Sequence, residues 1–467
     1  MHNVFAGADS LKQFLNPEQH ITPLVELPAF LNPFLVDGVH IFLKMQNFLP
    51  LANVKSISAR GMLNQVQNIS QYKGLVENSS GNTAFSLAVL GRLFGIETMK
   101  ARVSNEVTEG KLKLLQLFGV QSCINKEQIC PNPKDPESGI QKAKAEAKLN
   151  WWLNPSQYDN LANPDIHYRL TAPQIREQLQ FGAWHLNPKI FCAGLWTSGS
   201  FLGISKFLKE KKSDFLSLGV VRKPNNPIPW PRTEHLLQEV SFDREHYLDE
   251  MEAIGTKQAY EMSLSLVRNG LLVWPSSWMA LCWLFTYLEK IKKSDKLKEL
   301  TQEQEISAVV LCPDGPFLYI DEYFKYCEKD RFPPIENKEL LTNKVNNRDH
   351  DNENVEIDPL SFYELTKEHN QHFAEENILI DLRSFAEFEH VHIKNSINLP
   401  FEQCNKNSFI NYKDKRIFLV CNYWKKSNFW ADTLAQLGFN VYSLKWGLVA
   451  WSNLGLPREK AKSCQIK

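Results

Sequence analysis

Between about residues 38 and 330, short apolar or β-branched runs alternate with longer segments in which apolar residues recur at helical spacing. That alternation predicts an α/β architecture. The strand candidates are VHIFLKM (39–45), GLVENS (74–79), IETMKARVS (96–104), KIFCAGLW (189–196), FLSLGVV (215–221), LLVWP (271–275) and SAVVLCP (307–313). Several lack strict in–out alternation, as strands buried on both faces do, so a mostly parallel central sheet covered by helices is expected. Residues 53–67, 81–94 and 108–118 are predicted helices, the last two ending near Gly95 and Gly119.

After Tyr326 the pattern gives way to a polar stretch rich in Asn, Asp, Glu and Lys, which predicts a linker. A second, smaller α/β pattern starts near Leu360, with strands at 377–383, 416–422 and 439–445 and a helix at 428–438. The expected division is 1–330, a linker at 331–358, a small domain at 359–458 and a tail at 459–467. A chain of 467 residues fits two or three domains on length alone, and two is the starting expectation.

Charge is balanced, 53 Lys+Arg against 53 Asp+Glu, so net electrostatics draw the chain neither to nucleic acid nor to an anionic membrane. Small-molecule substrates fit better. The most apolar stretch, Leu271 to Leu288, is broken by Pro275, Ser276 and Ser277, and is expected to be a buried strand and helix rather than a membrane span. The opening residues lack a secretory pattern, so the expected compartment is the cytoplasm. Nine cysteines without a CxxC pair argue against a disulfide framework or a zinc ribbon, and no metal constellation stands out.

Four elements of the first domain carry candidate chemistry. Lys55 begins a predicted helix, where an amine can form a Schiff base, although a lone lysine is ordinarily a solvated one. NSSGNTA (78–84) follows a strand and precedes a helix, a place suited to an anion; capping by Ser79 or Ser80 is the simpler alternative. LWTSGSFLG (195–203) is a second hydroxyl-rich turn into a helix that could wrap a phosphate. VWPSSWMAL (273–281) places Ser276 at the end of an apolar strand, where a neutral hydroxyl could meet a pyridine nitrogen.

In this order and spacing the elements resemble the cysteine synthase / cystathionine β-synthase family of fold-type II pyridoxal-phosphate enzymes. The resemblance spans about residues 20–327 and includes TPLVEL (22–27), QYDNLANPDIHYRLTAPQI (157–175) and PDGPFLYIDEYF (313–324). It implies two α/β subdomains with mostly parallel sheets, pyridoxal 5′-phosphate as cofactor, and a homodimer. It implies Lys55 as the amine that bonds the cofactor aldehyde and shuttles the α-proton, and Asn82 at the cofactor 3′-oxygen. Thr197, Ser198, Gly199 and Ser200 would form the phosphate cup, and Ser276 would face the ring nitrogen. Ser79, Ser80, Thr83 and Gln157 would bind the substrate carboxylate. This chain departs from the family where the usual glycines are replaced by Ala84, Trp196, Ser198 and Trp278, and where Ser56 and Ile57 follow the lysine instead of a charged pair.

In the second domain Cys421 ends an apolar strand and precedes a helix beside Lys425 and Lys426, a setting of positive potential that favours thiolate. The plainer alternative is a buried cysteine acting as a small hydrophobe. ILIDLRSFAEFEHVHIKNSINLP (378–400) and FNVYSLKWGLVAWSNLGLP (439–457) resemble the rhodanese family, a small α/β domain that carries sulfane sulfur on a cysteine. The resemblance makes Cys421 the sulfur carrier and Cys421 to Lys426 its loop, with Lys425 and Lys426 toward the substrate. Asp381 and Arg383 would be structural. Trp424 stands where a glycine is usual.

Together these resemblances imply β-replacement on O-acetylserine or serine by a sulfur nucleophile to form cysteine, with sulfur supplied by the second domain. Cystathionine or diaminopropionate synthesis, or serine β-elimination, are the enzymatic alternatives. A degenerate scaffold or sensor of sulfur metabolites is the non-enzymatic one.

Overall fold

The computed structural model describes residues 4–183, 185–226, 231–336, 353–368 and 373–460. The chain divides into two compact units, Met1–Pro333 and Pro334–Lys467.

The first unit contains strands β1 (Leu24–Glu26), β2 (Val39–Met45), β3 (Leu75–Asn78), β4 (Met99–Ser104), β5 (Val120–Asn125), β6 (Asn187–Gly194), β7 (Leu216–Arg222), β8 (Glu250–Ile254) and β9 (Ile306–Cys312). They form a six-stranded sheet in the order β1-β2-β9-β6-β7-β8 and a three-stranded sheet in the order β3-β4-β5. Every pairing is parallel except that of β1 with β2. Alternate residues of the large sheet enter two separate cores. Ile190, Cys192, Ala308 and Val310 pack on one face, Phe191, Ala193, Val309 and Leu311 on the other. Two buried faces leave no room for polar alternation, which explains the uniformly apolar runs.

Four helices matter to the site: α1 (Lys55–Asn64), α2 (Asn82–Leu93), α3 (Gly199–Lys211) and α4 (Pro275–Lys293). The expected strand at 271–275 is absent. Leu271–Trp274 is a connector without a sheet partner, and the Trp274 amide donates to the Asp314 carbonyl at 3.3 Å. Pro275 then occupies the first turn of α4, where its fixed φ and missing N–H suit a helix start. Ser276 therefore lies in the first turn of a helix, not at a strand end. None of the described helices is long and apolar enough to cross a membrane.

The second unit has strands β10 (Glu356–Ile357), β11 (Asn377–Asp381), β12 (Ile397–Asn398), β13 (Arg416–Val420) and β14 (Val441–Leu444) in the order β10-β14-β13-β11-β12, all parallel. Helix α5 (Lys425–Gln436) follows β13 through the loop that begins at Cys421. The stretch expected to be linker ends in β10, which pairs with β14, and its residues 337–352 lie outside the described part of the chain. Asp381 and Arg383 form a buried bidentate pair whose guanidinium also reaches the Val391 carbonyl.

Candidate active sites

Lys55 is the first residue of α1, 8% exposed, and its ammonium lies over the indole of Trp196, 4.5 Å from the ring centroid. Burial lowers its pKa to about 8, against an opposing pull from the Asp314 carboxylate. At neutral pH a useful fraction is therefore free amine, whereas an ordinary lysine would be almost wholly protonated.

Asn82 opens α2. The helix is preceded by Gly81 with no side-chain cap, so the capping alternative for Ser79 and Ser80 is not what the fold uses. Instead Ser79 Oγ accepts the Gly81 amide at 3.4 Å. Asn82 Nδ2 donates to Asp314 Oδ2 at 2.6 Å, and Tyr319 donates to the same oxygen at 2.7 Å. Burial pushes the Asp314 carboxyl up to about 7, although these hydrogen bonds and the nearby Lys111 and Lys55 work to lower it.

One cavity gathers the expected cofactor residues. Lys55, Asn82, Ser200 and Ser276 line it, with Trp196, Asp314, Val54, Gly194, Pro231, Leu311 and Pro313. Asn82 Oδ1, Ser276 Oγ and Ser198 Oγ are buried without a hydrogen-bond partner. Buried polar atoms normally find partners, so these orphaned atoms mark where polar groups of a ligand belong. Of the turn into α3, Ser200 lines the cavity, whereas Thr197, Ser198 and Gly199 are not among its lining residues. Thr197 and Ser198 are buried, Ser198 holds a left-handed φ of 63°, and Gly199 leaves no room for a Cβ beside the Asn163 amide. The amides at the start of α3 present partial positive charge to an anion. This set fits a ring with a nitrogen, a phenolic oxygen and a phosphate: pyridoxal 5′-phosphate, which Lys55, Asn82, Ser276 and the turn at residues 197–200 would hold.

Ser79, Ser80, Thr83 and Gln157 are not among the residues lining this cavity. Thr83 donates to Gln157 Oε1 at 2.9 Å, and Gln157 Nε2 donates to the Asn78 carbonyl at 3.0 Å, so the last turn of the 78–83 loop and residue 157 form one bonded group. Asn163 ties it to the phosphate turn, donating to the Gln157 carbonyl at 2.8 Å and to Thr197 Oγ1 at 3.3 Å. Asn163 and Asp314 act here through contacts that no local motif exposes. Their only signal was membership of the segments 157–175 and 313–324.

In the second unit Cys421 is buried, and its sulfur accepts the Ser427 amide at 3.4 Å from the first turn of α5. Ser427 is held in turn by Ser443 at 2.9 Å. Trp424 takes φ 70° in the loop, and its ring meets that of Trp446, itself at φ 60°, at 4.5 Å. Lys425 is exposed; Lys426 is paired with Glu402 at 3.0 Å. Gly447 (φ 62°) lets the chain pass against the Cys421 carbonyl, where any Cβ would collide. The Ser427 amide thus faces the sulfur, and the rings of Trp424 and Trp446 pack on one another.

Among the described residues there is no group of three metal-ligating side chains.

Comparison with known proteins bears on the family and the fold. The model of the family "pyridoxal-phosphate dependent enzyme" matches residues 15–299, and that of the rhodanese-like domain matches residues 365–454. The chain is 27% identical over 323 residues to cystathionine beta-synthase of Saccharomyces cerevisiae, an alignment covering 65% of this chain and 61% of that one. It is 29% identical over 286 residues to a probable cysteine synthase of Bacillus subtilis, covering 58% and 87%. Among solved structures, O-acetylserine dependent cystathionine beta-synthase from Helicobacter pylori superposes with a TM-score of 0.53 at 20% identity over 65% of this chain and 96% of that one, a likeness of fold. The chain is an enzyme of the pyridoxal-phosphate dependent family, of the fold-type II architecture that the cysteine synthases share, followed by a rhodanese-like domain.

Proposed function

We propose that the first unit performs β-replacement on O-acetylserine or serine, putting sulfur in place of the β-oxygen substituent to form cysteine, and that Cys421 of the second unit supplies the sulfur. The observation that carries this reading is the convergence of Lys55, Asn82, Ser200 and Ser276 on one cavity, with orphaned polar atoms on the two residues meant for the ring. Bound there, the cofactor supplies an electron sink for the α-carbon of an amino acid.

The chain's own residues do the rest. Lys55 takes the α-proton at its Nζ and returns it, a role suited to an amine of pKa about 8. Asp314 holds Asn82 in place, and Ser276 offers a neutral hydroxyl to the ring nitrogen. Ser79, Ser80, Thr83 and Gln157 orient the substrate carboxylate. The Cys421 thiolate takes sulfane sulfur from thiosulfate, releasing sulfite, and a thiol reductant frees it as sulfide. Carrying both sites on one chain raises the effective concentration of one at the other, which favours local delivery. The proposed division is a catalytic region at 1–330, a linker at 331–358 and a sulfur-carrying domain at 359–458. The catalytic regions pair as a homodimer, which sedimentation checks.

The test is cysteine production from O-acetylserine with thiosulfate and a reductant, products identified by mass spectrometry. Cystathionine, diaminopropionate or pyruvate as the main product would replace the reaction named here. An unchanged rate in Cys421→Ala would remove the sulfur supply. A second reading, a binding protein for sulfur metabolites, is favoured by one observation: the Trp196 indole stands over the amine in the cofactor cavity. A purified protein that stays colourless after incubation with pyridoxal phosphate decides for it.

A further inference from the structure

Glu77 is the last residue but one of β3, 1% exposed, and both of its carboxylate oxygens are in use. Oε1 accepts the Asn78 amide at 2.9 Å, Oε2 accepts the Gln157 amide at 3.2 Å, and the Ser156 amide also donates to the carboxylate. Ser156 holds a left-handed φ of 58°, and such a turn points successive amides into one concavity that cups an anion. Here the anion is the chain's own side chain. Among the described residues no lysine, arginine or histidine pairs with it, so backbone amides hold the charge. Burial pushes the carboxyl up to about 7, and Asp159 adds to the rise, while the three amides pull the other way.

A buried carboxylate without a counter-ion is costly, and an apolar side chain would fill the same space without that cost. What the carboxylate can do is join two segments 80 positions apart by accepting N–H groups from both. One is the start of the 78–83 loop and the other is Gln157, the two parts assigned to the substrate carboxylate. Just before it the strand is bonded to the same connection through its backbone: Val76 donates to the Leu153 carbonyl at 3.0 Å and accepts from Asn154 Nδ2 at 2.7 Å. The Glu77 side chain carries that pairing on past the point where the strand leaves it. Beyond, Gln157 Nε2 donates to the Asn78 carbonyl and Thr83 donates to Gln157 Oε1, so both bonds depend on the register that Glu77 sets.

We propose that Glu77 is a positioning residue for the substrate: its carboxylate fixes Gln157 and the 78–83 loop in the mutual register that grips an amino acid's α-carboxylate. Glu77 acts through them, without touching the substrate. The inference rests on the β-replacement reading, which assigns Ser79, Ser80, Thr83 and Gln157 to that carboxylate.

The test titrates the cofactor-loaded full chain, wild type and Glu77→Gln, with L-serine and with L-serinamide, whose carboxylate is replaced by a neutral amide, following the cofactor absorbance. Because both oxygens of Glu77 accept, either orientation of the new amide sets its NH2 against a backbone N–H. Wild type should prefer serine by at least about ten-fold, and the variant should lower that ratio at least about five-fold. KM for O-acetyl-L-serine with sulfide should rise about ten-fold, while kcat and the affinity of the apo-protein for pyridoxal phosphate change less than about two-fold. A serine-to-serinamide ratio kept by the variant overturns the proposal, as does a loss that falls on cofactor affinity instead. If Glu77→Gln does not fold, Glu77→Asp, which keeps the charge and withdraws it by one methylene, is read in the same way. Equal binding of serine and serinamide by the wild type, with cysteine still formed from O-acetylserine, overturns the carboxylate assignment and this inference but leaves the reaction. No binding of either and no turnover overturns the β-replacement reading itself.

Discussion

Asn82 donates its amide hydrogen to Asp314 at 2.6 Å, joining the first residue of α2 to a residue 232 positions later in the chain. The same short segment holds the other anchors of the cavity. The Val54 amide, just before Lys55, donates to the Pro313 carbonyl at 2.7 Å, and the Trp274 amide, two residues before Ser276, donates to that of Asp314. The Pro313–Asp314 segment is thus the common support of the amine, the amide and the hydroxyl. Replacing Asp314 by Asn removes a charge-assisted acceptor shared by Asn82 and Tyr319, a change of about 1.5–3 kcal/mol. Cofactor affinity of Asp314→Asn should fall roughly 10- to 100-fold, measured by absorbance titration of the apo-protein with pyridoxal phosphate. Unchanged affinity would mean that Asn82 is positioned without it.

The depressed pKa of Lys55 makes its chemistry pH-dependent in a defined direction. Only the free amine attacks an aldehyde, so the rate of cofactor capture by the apo-protein should rise with pH and level off above a midpoint near 8. Removing the opposing carboxylate in Asp314→Asn should move that midpoint lower. The stability sign follows from the same fact. The folded value lies below the unfolded 10.5, so the fold is penalised for holding the proton at low pH and relieved as pH rises from about 8 to 10.5. Lys55→Met should therefore stabilise the apo-protein at pH 7 by at most about 3 kcal/mol, and by progressively less above pH 8. Urea unfolding at a series of pH values reads both.

Lys55, Asn82, Ser276 and the turn at 197–200 could be singled out because each lies near a change from an apolar run to a helix, and their roles toward a cofactor are what the family resemblance implies. The two-faced burial of the large sheet was readable from its uniformly apolar runs. Asp314 and Asn163 were not, because each acts through a partner far away in sequence, and nothing near an isolated Asp or Asn tells which side chain it will meet. The strand expected at 271–275 failed for a related reason. A short apolar run looks alike whether it joins a ladder or, as here, sends its Trp274 amide to the Asp314 carbonyl and stacks the Trp274 ring on Tyr319.

Ser276 carries a buried hydroxyl without a partner. If its purpose is the cofactor, removing it should leave the apo-protein as stable or slightly more stable, by up to about 1 kcal/mol, because an unpaired polar atom leaves the interior. The same change should weaken pyridoxal phosphate binding roughly 10-fold. Thermal unfolding of apo Ser276→Ala, set beside its absorbance titration, separates this from a structural role, which would lower apo-protein stability.

Trp424 tests the sulfur-carrying loop through its backbone. At φ 70° it holds a conformation that costs an L-residue with a Cβ about 1 kcal/mol and a glycine almost nothing. Its ring is also half of the pair with Trp446. Glycine and alanine substitutions both remove the ring, and only glycine relieves the backbone. Trp424→Gly should accordingly be more stable than Trp424→Ala by about 1 kcal/mol in urea unfolding followed by a probe in the second unit. With the ring gone, Cys421, now 3% exposed, should be labelled by a thiol reagent at least ten-fold faster in both variants. Labelling no faster than in the wild type would show that the indole does not shield the sulfur. Equal stability of the two variants would show that the loop relaxes out of the left-handed conformation once the tryptophan is gone.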